Sequence, residues 1–210
     1  MFRELVRQRV KQPRGGDGAK PTWTALRTLA SQARRYPGRF RDNLRSPEPR
    51  AAVETFLDVF SNPALTWQDL AFLRERTKLP ILLKGVQSPQ DAAIALDHGV
   101  DGLVVSNHGG RQVDGAVGSL DALPGVVEEV GDRIPVLFDS GIRGGADAFK
   151  ALALGARAVL VARPYVYGLA LAGTTGVVEV MRHIAAEFDL TMGLAGCAAV
   201  ADISSDLLRS

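Results

Sequence analysis

The sequence predicts an α/β fold, in which a partial (β/α)₈ barrel of about four strand–helix units follows a helical amino-terminal region. Short apolar runs alternate with helical stretches from about residue 65 onward, which is the pattern of repeated βα units. The chain has 210 residues, fewer than the roughly 250 of a complete barrel. We therefore expect a basic loop and helical insertion over residues 1–64 and half of a barrel over residues 65–210.

Four apolar runs are the predicted strands: Ile81–Leu83, Leu103–Val105, Val136–Phe138 and Val159–Val161. Their apolarity is continuous rather than alternating, which is typical of strands buried on both faces of a parallel sheet. The strand starts are 22, 33 and 23 residues apart, and the longest interval contains the loop Ser106–Ser119. Enlarged loops after barrel strands commonly carry the chemistry of the fold.

Capping residues mark the helices between these strands. Ser88 is a predicted N-cap followed by Pro89 at the first helical position, and Gly99 ends that helix. The same pattern predicts a helix over Gly145–Gly155.

The amino-terminal region is strongly basic. Residues 1–50 hold 13 Lys and Arg against 4 Asp and Glu. We predict a loop over Arg9–Pro21, helices over Thr24–Arg35 and Ala51–Phe60, and a turn at Tyr36–Gly38 between them. Because no groove-reading helix is evident, this region does not favour nucleic-acid binding.

The composition also indicates the cellular compartment of the chain. A single cysteine, Cys197, cannot form an internal disulfide. The first residues lack the apolar core of a signal peptide, and no apolar stretch approaches the roughly 20 residues of a membrane span. We expect a cytoplasmic protein without a membrane span.

Glycine-rich and charged segments follow the predicted strands on what would be one mouth of a barrel. Asp139–Gly145 leads into a helix, so its free N–H groups and the helix dipole suit a phosphate. Arg143 and Arg163 would add bidentate donors. An ordinary glycine-rich turn is the alternative for this segment alone.

Three further side chains suit an acidic substrate. His108 and Arg111 lie three residues apart on one loop, and histidine can serve as a general base while the arginine fork binds a carboxylate. Lys84 follows an apolar strand, where an ammonium group needs an anionic partner. His98 and His183 have no comparable surroundings and are expected to be structural.

These motifs resemble the flavin-mononucleotide (FMN)-dependent 2-hydroxy-acid oxidases and dehydrogenases, which are TIM barrels. The resemblance runs from about Leu65 to the end of the chain, and its most specific segments are Ser106–Gln112, Asp139–Asp147 and Lys150–Ala156. It implies FMN as the cofactor and oxidation of a small L-2-hydroxy acid.

The resemblance also implies a role for each site residue. His108 takes a substrate proton, Arg111 binds the substrate carboxylate, and Lys84 stabilises negative charge on the reduced flavin. The implied cofactor contacts are Lys84, Ser106, Asp139, Ser140, Gly141, Ile142, Arg143, Ala162 and Arg163. Asp139 is expected at the ribityl chain, and the backbone of residues 140–143 with Arg163 at the phosphate. Ala162 replaces the usual glycine of the family, so its methyl group is expected to crowd the phosphate.

Within the family, the sequence is most similar to the lactate 2-monooxygenase branch, because of the variant Asp139–Arg143 and the ending Phe188–Cys197. We therefore expect lactate as substrate. The resemblance implies products of acetate, carbon dioxide and water if oxygen is a second substrate, or pyruvate if the chain is an oxidase or dehydrogenase.

The amino-terminal half of the family barrel has no counterpart in this sequence. The chain is therefore expected to be a homo-oligomer, one half of a split enzyme with a separately encoded amino-terminal half, or a truncated fragment without activity. Another phosphate-binding barrel, such as a nucleotide dehydrogenase or an isomerase, is a weaker alternative because it leaves His108 and Arg111 unexplained.

Overall fold

The computed structural model describes residues 2–11, 22–60 and 62–208. The chain divides into two compact units, Met1–Leu65 and Thr66–Ser210. Among the described helices, none is both long and apolar enough to cross a membrane.

The described part of the first unit is helical. Its helices are α1 (Phe2–Lys11), α2 (Trp23–Arg35), α3 (Phe40–Arg45) and α4 (Glu48–Phe60). Thr22 is the N-cap of α2, since its Oγ1 accepts a hydrogen bond from the Ala25 N–H at 3.1 Å. Helix α1 packs against α4, and α2 packs against α3.

Two of these helices were predicted and two were not. The predicted helix from Ala51 begins three residues earlier, at Glu48, because proline is tolerated in the first turn of a helix and Pro49 therefore does not delay it. The predicted loop from Arg9 was wrong for residues 9–11, which complete α1. Its remaining residues, 12–21, lie outside the described residues.

The second unit contains a parallel sheet in the order β1-β2-β3-β4. Its strands are β1 (Leu82–Val86), β2 (Gly102–Val105), β3 (Val136–Phe138) and β4 (Ala158–Val159), and its helices are α5 (Asp69–Arg74), α6 (Pro89–Asp97), α7 (Ser119–Val130), α8 (Gly145–Ala153) and α9 (Arg163–Leu194). Helix α9 is interrupted at Ala172 and Gly173, where the backbone is not helical. Strand and helix alternate as the sequence predicted, and the result is a partial (β/α)₈ barrel.

The predicted caps explain where the helices begin and end. Ser88 Oγ accepts the Asp91 N–H at 3.1 Å at the start of α6. Gly99 and Gly155 follow α6 and α8 with φ angles of 72° and 98°, the left-handed conformation that glycine adopts after a helix.

The core lies between the sheet and its helices. Leu103, Val105 and Phe138 are fully buried there against helical residues such as Leu123 and Val126. The prediction of strands buried on both faces is correct for β2, whose four residues are all buried. It is wrong for β1 and β4, whose residues on the face opposite the helix-packed core are exposed; Leu82, for example, is 43% exposed.

Two strand boundaries also differ from the prediction. Lys84 and Gly85 were expected beyond the first strand but lie within β1, where the register skips Gly85 (φ 105°) as an irregularity in the ladder. Strand β4 begins at Ala158 and ends at Val159 rather than extending to Val161, although the Leu160 N–H still donates to the Phe138 carbonyl at 2.9 Å.

Candidate functional site

A cleft of about 990 Å³ opens where the carboxyl ends of the four strands meet. Every predicted site residue except Ser106 lines it: Lys84, His108, Arg111, Asp139, Ser140, Gly141, Ile142, Arg143, Ala162 and Arg163. Ser106 is buried immediately after β2 and contacts the lining through its hydroxyl group. Because parallel strands end on one side of a sheet, residues up to 79 positions apart in the sequence converge here.

A partly exposed ion pair forms one wall of the cleft. Lys84 Nζ lies 2.6 Å from Asp139 Oδ2 and donates to Ser106 Oγ at 2.7 Å. Ser140 Oγ donates to the other carboxylate oxygen, Asp139 Oδ1, at 2.8 Å. The ammonium group predicted to need an anionic partner therefore has one, contributed by the end of β3.

These contacts decide the ionisation of Asp139. Burial raises the pKa of Asp139, whereas hydrogen bonds from Lys84, Ser106 and Ser140, together with the Lys84 charge, lower it. The lowering contributions prevail, so the pKa lies below the ordinary value of 3.8. Asp139 is therefore a carboxylate at neutral pH, and the pair carries both charges.

The loop after β2 has an uncommon backbone. His108, Gly109 and Gly110 have φ angles of 55°, 70° and 71°, so three consecutive residues are left-handed, a conformation that is rare for a histidine. The His108 side chain is exposed, and a Cβ added to Gly85 would lie 3.4 Å from His108 Nε2. The imidazole thus lies beside β1, one residue from Lys84.

The backbone after β3 offers unpaired donors to the cleft. Among the described residues, no acceptor faces the N–H groups of Ser140, Gly141 and Ile142. Three neighbouring N–H groups are already used: those of Arg143 and Gly144 donate to Asp147 Oδ2 at 3.0 and 3.2 Å, and that of Gly145, the first residue of α8, donates to Glu187 Oε2 at 2.8 Å. The loop N–H groups of residues 140–142 therefore remain available to an anion.

Two arginines complete the charge of this region. Arg163 donates to the Gly109 carbonyl at 3.0 Å and so connects the start of α9 to the loop after β2. Arg143 is exposed, and its guanidinium makes no ion pair with any of the described residues. Ala162, which replaces the expected glycine, has φ −123° and ψ −83°, outside the common β and α regions.

Comparisons with known proteins agree with this architecture. The sequence profile of the FMN-dependent dehydrogenases matches residues 6–210. The chain belongs to this family. FMN is the cofactor of the family. The free N–H groups of the loop, the arginines and the ion pair of the cleft together form a set of polar groups that fits a phosphate-bearing, polar cofactor.

Individual relatives share much of this chain but are longer. It is 56% identical over 144 residues to an FMN-dependent α-hydroxy acid dehydrogenase of Penicillium citrinum, and the match covers 69% of this chain and 36% of the relative. It is 51% identical over 148 residues to an L-lactate oxidase of Lysinibacillus sphaericus, covering 70% and 38%. A soluble mutant of the membrane-associated (S)-mandelate dehydrogenase of Pseudomonas putida superposes with a TM-score of 0.67 at 43% identity, covering 70% and 41%. The chain thus spans less than half the length of these three proteins.

Arg111, in the loop after β2, has no bonded partner among the described residues. Its side chain is exposed and makes no hydrogen bond or ion pair with the described residues. The base of the same loop is fixed: Ser119 Oγ accepts the Asn107 N–H at 2.7 Å, and Asn107 Oδ1 accepts the Gly110 N–H at 3.0 Å. Only the segment between these anchors presents Arg111 to the cleft.

Sequence reasoning missed several residues that shape the site. Asn107 lies inside the Ser106–Gln112 motif, and an Asn two residues before left-handed glycines is a usable turn signal. Ser119 and Asp147 have the local signals of residues that begin helices. Glu187 has no such signal, because it reaches the start of α8 from the second half of α9, 42 residues further along the chain than Gly145.

Proposed function

We propose that this cleft binds FMN together with a small L-2-hydroxy acid and oxidises the acid at its α-carbon. The observation that carries the proposal is the convergence, in one cleft, of the Lys84–Asp139 ion pair, the His108 imidazole and the unpaired N–H groups of residues 140–142. Together these groups offer a charged wall, a base and an anion site. An ordinary solvated strand end would require none of them.

Each part of this set has a proposed task toward the cofactor. The N–H groups of Ser140, Gly141 and Ile142, with Arg143 and Arg163, would hold the phosphate. The Asp139 carboxylate would accept from the ribityl hydroxyl groups, and Lys84 would balance negative charge on the ring. The bound FMN would supply the two-electron acceptor that no side chain of the chain provides.

His108 and Arg111 would act on the substrate. The exposed imidazole of His108 would take the proton that leaves the substrate as its C–OH group becomes a carbonyl. Arg111 has no partner among the described residues, so its guanidinium is available to bind the substrate carboxylate in a bidentate manner. A hydroxy acid presents both groups on adjacent carbons, which suits a base and an arginine on one loop.

We further propose lactate as the acid. The 51% identity to an L-lactate oxidase supports this choice, as does the similarity of Asp139–Arg143 to the lactate 2-monooxygenase branch. If the pyruvate formed stays bound until oxygen reacts, the products are acetate, carbon dioxide and water; if it leaves first, pyruvate is the product. The lone, buried Cys197 supports a reducing, cytoplasmic setting for the reaction.

The first test is a visible absorbance spectrum of the full chain that has been incubated with FMN and desalted, followed by anaerobic addition of L-lactate. We expect retained flavin bands that bleach with L-lactate and not with D-lactate. His108→Ala should retain the bands and lose the bleaching, which separates binding from chemistry. Acetate or pyruvate in the aerated product then identifies the reaction. A desalted chain without flavin bands would contradict activity of the chain by itself.

A second candidate function is that of one half of a split enzyme. It is favoured by the length of the relatives, of which this chain covers between 36% and 38% in the two enzymes compared by sequence. It is also favoured by the sheet, whose outer strands β1 and β4 pair on one side only within the described residues. Flavin retention that requires an added amino-terminal half of a relative would support this alternative, and retention by neither mixture nor chain would indicate a fragment without activity.

A further inference from the structure

The loop that carries His108 is held in its left-handed conformation by three side chains of the site. The His108 N–H donates to Ser106 Oγ at 3.1 Å, the Gly109 N–H to Ser140 Oγ at 2.9 Å, and the Gly110 N–H to Asn107 Oδ1 at 3.0 Å. Ser106 and Asn107 are neighbours of the loop in sequence. Ser140 is not: it comes 31 residues later, from the end of β3.

Ser140 is itself in an unfavourable conformation. Its φ is 84°, a left-handed value at which a non-glycine residue is strained. A glycine would relieve that strain but would bring no hydroxyl group. The serine therefore gives the site something that a relaxed backbone would lack.

The Ser140 hydroxyl joins two functional groups. It donates to Asp139 Oδ1 at 2.8 Å and accepts from Gly109 at 2.9 Å. Since Asp139 is ionised and paired with Lys84, its carboxylate orients the hydroxyl proton toward itself and leaves the oxygen lone pairs for the Gly109 N–H. The charge pair thus controls the direction of the bond that fixes the histidine loop.

We propose that Ser140 is a positioning residue. Its hydroxyl group connects the Lys84–Asp139 pair to the Gly109 backbone by hydrogen bonds and thereby fixes the position of His108 in the cleft. This inference rests on the proposed function for the task of His108. The contact itself does not depend on that task, so the two are testable separately.

The test compares Ser140→Ala and Ser140→Gly in the full chain, with hydrogen exchange of the Gly109 amide as the first measurement. Both variants lack the hydroxyl, but only the glycine relieves the strain at φ 84°. We expect Gly109 to exchange about five-fold faster in both, the effect of losing one neutral hydrogen bond. Ser88→Ala is the matched control, because it removes a serine hydroxyl that accepts a backbone N–H outside the cleft; Gly109 exchange should not change in it.

The second measurement follows the ring signals of the histidines by NMR. The chain has three, His98, His108 and His183, so each can be observed. In both Ser140 variants we expect the His108 signals to shift or broaden while the other two stay in place, a result that a general loss of stability would not produce. The proposal would be overturned if the Gly109 amide of Ser140→Ala exchanged at the wild-type rate, or if the His108 signals of that variant were unchanged.

FMN binding distinguishes this proposal from the proposed function. If wild type and variants all fail to quench added FMN fluorescence while Gly109 protection still falls in both Ser140 variants, the positioning contact stands and the proposed function does not. If FMN binds and Ser140→Gly retains full Gly109 protection, relief of strain is sufficient and the positioning role is wrong.

Discussion

At the scale of single residues, the site depends on one charge pair. Lys84 lies within β1 and Asp139 follows β3, and each offsets the charge of the other where solvent reaches the pair only in part. Their bond also orders the serine hydroxyl groups beside them. A change in either charge is therefore expected to alter the ionisation of the other and the binding of any anion.

Replacement of Lys84 by methionine should raise the pKa of Asp139. The substitution keeps the aliphatic length but removes a hydrogen bond and a positive charge that both lower that pKa, while the raising effect of burial remains. Carboxyl NMR titration of Asp139 would measure the change. Arg182→Met is the control, since it removes an exposed pair with Glu179 on α9; an Asp139 pKa equally raised in both variants would contradict the assignment.

Asp139 should also contribute to acid sensitivity. Its folded-state pKa is below the ordinary 3.8, so its ionised form stabilises the folded chain above that pH, and the contribution is lost as the pH falls through the folded-state value. The Asp139→Asn variant should therefore have a lower free energy of unfolding than wild type at neutral pH. That free energy should also fall less than in wild type when the pH is lowered from neutral to acid. Urea unfolding at several pH values would test this. Part of the dependence remains, because Asp69 and Asp101 also have lowered pKa values.

At the scale of helices and strands, α8 and α9 approach closely at a glycine. A Cβ added to Gly145 would lie 2.6 Å from the Ile184 carbonyl oxygen and also clash with the Phe188 backbone. Gly145→Ala must therefore separate the helices or distort the loop before α8, and we expect a loss of about 2 kcal/mol or more in the free energy of unfolding.

The matched control for this prediction is Gly193→Ala in α9. Among the described residues, no atom beyond the adjoining helix backbone lies within 4 Å of a Cβ placed there, so the greater helix propensity of alanine should leave the stability unchanged or raise it by up to about 1 kcal/mol. Chemical denaturation of both variants checks the pair. Equal stability in Gly145→Ala and wild type would show that the two helices are not closely packed.

The same scale shows what the sequence could and could not predict. Apolar runs and caps located β2, β3, α6 and α8 because those signals are local. The extension of β1 through Lys84 depends on its register with β2, which no local pattern contains. The six-residue helix α3 escaped because it has no side-chain cap, and its place is fixed by Asn43, whose Nδ2 donates to the Ala33 and Tyr36 carbonyls. Likewise, motifs identified the residues of the site, but only tertiary packing reveals the contact of Ser140 with Gly109.

At the scale of the second unit, one face of the sheet is covered only in part, since Val104 is buried on it whereas Leu82 is exposed. Residues alternate across a strand, so the register places Leu82, Lys84, Val104 and Leu137 on the face opposite the buried Leu103 and Phe138. In a closed barrel this face is interior and filled by side chains. In the described sheet it includes Leu82, which is 43% exposed, and β1 and β4 pair on one side only.

An open parallel sheet with an exposed apolar face is expected to associate. We therefore predict that the full chain at micromolar concentration sediments above the mass of a 22.4 kDa monomer and binds the dye 1-anilinonaphthalene-8-sulfonate. Leu82→Lys combined with Leu160→Lys should lower both signals without unfolding the chain, because these side chains are 43% and 37% exposed and Lys replaces apolar surface by charge. Leu171→Lys is the control, since Leu171 is also an exposed leucine but belongs to α9 and not to the sheet. A wild-type chain that sediments as a monomer without dye binding would contradict the prediction, and would mean that the face is covered from within the chain. A decrease of the same size in Leu171→Lys would assign the association to helical surface instead.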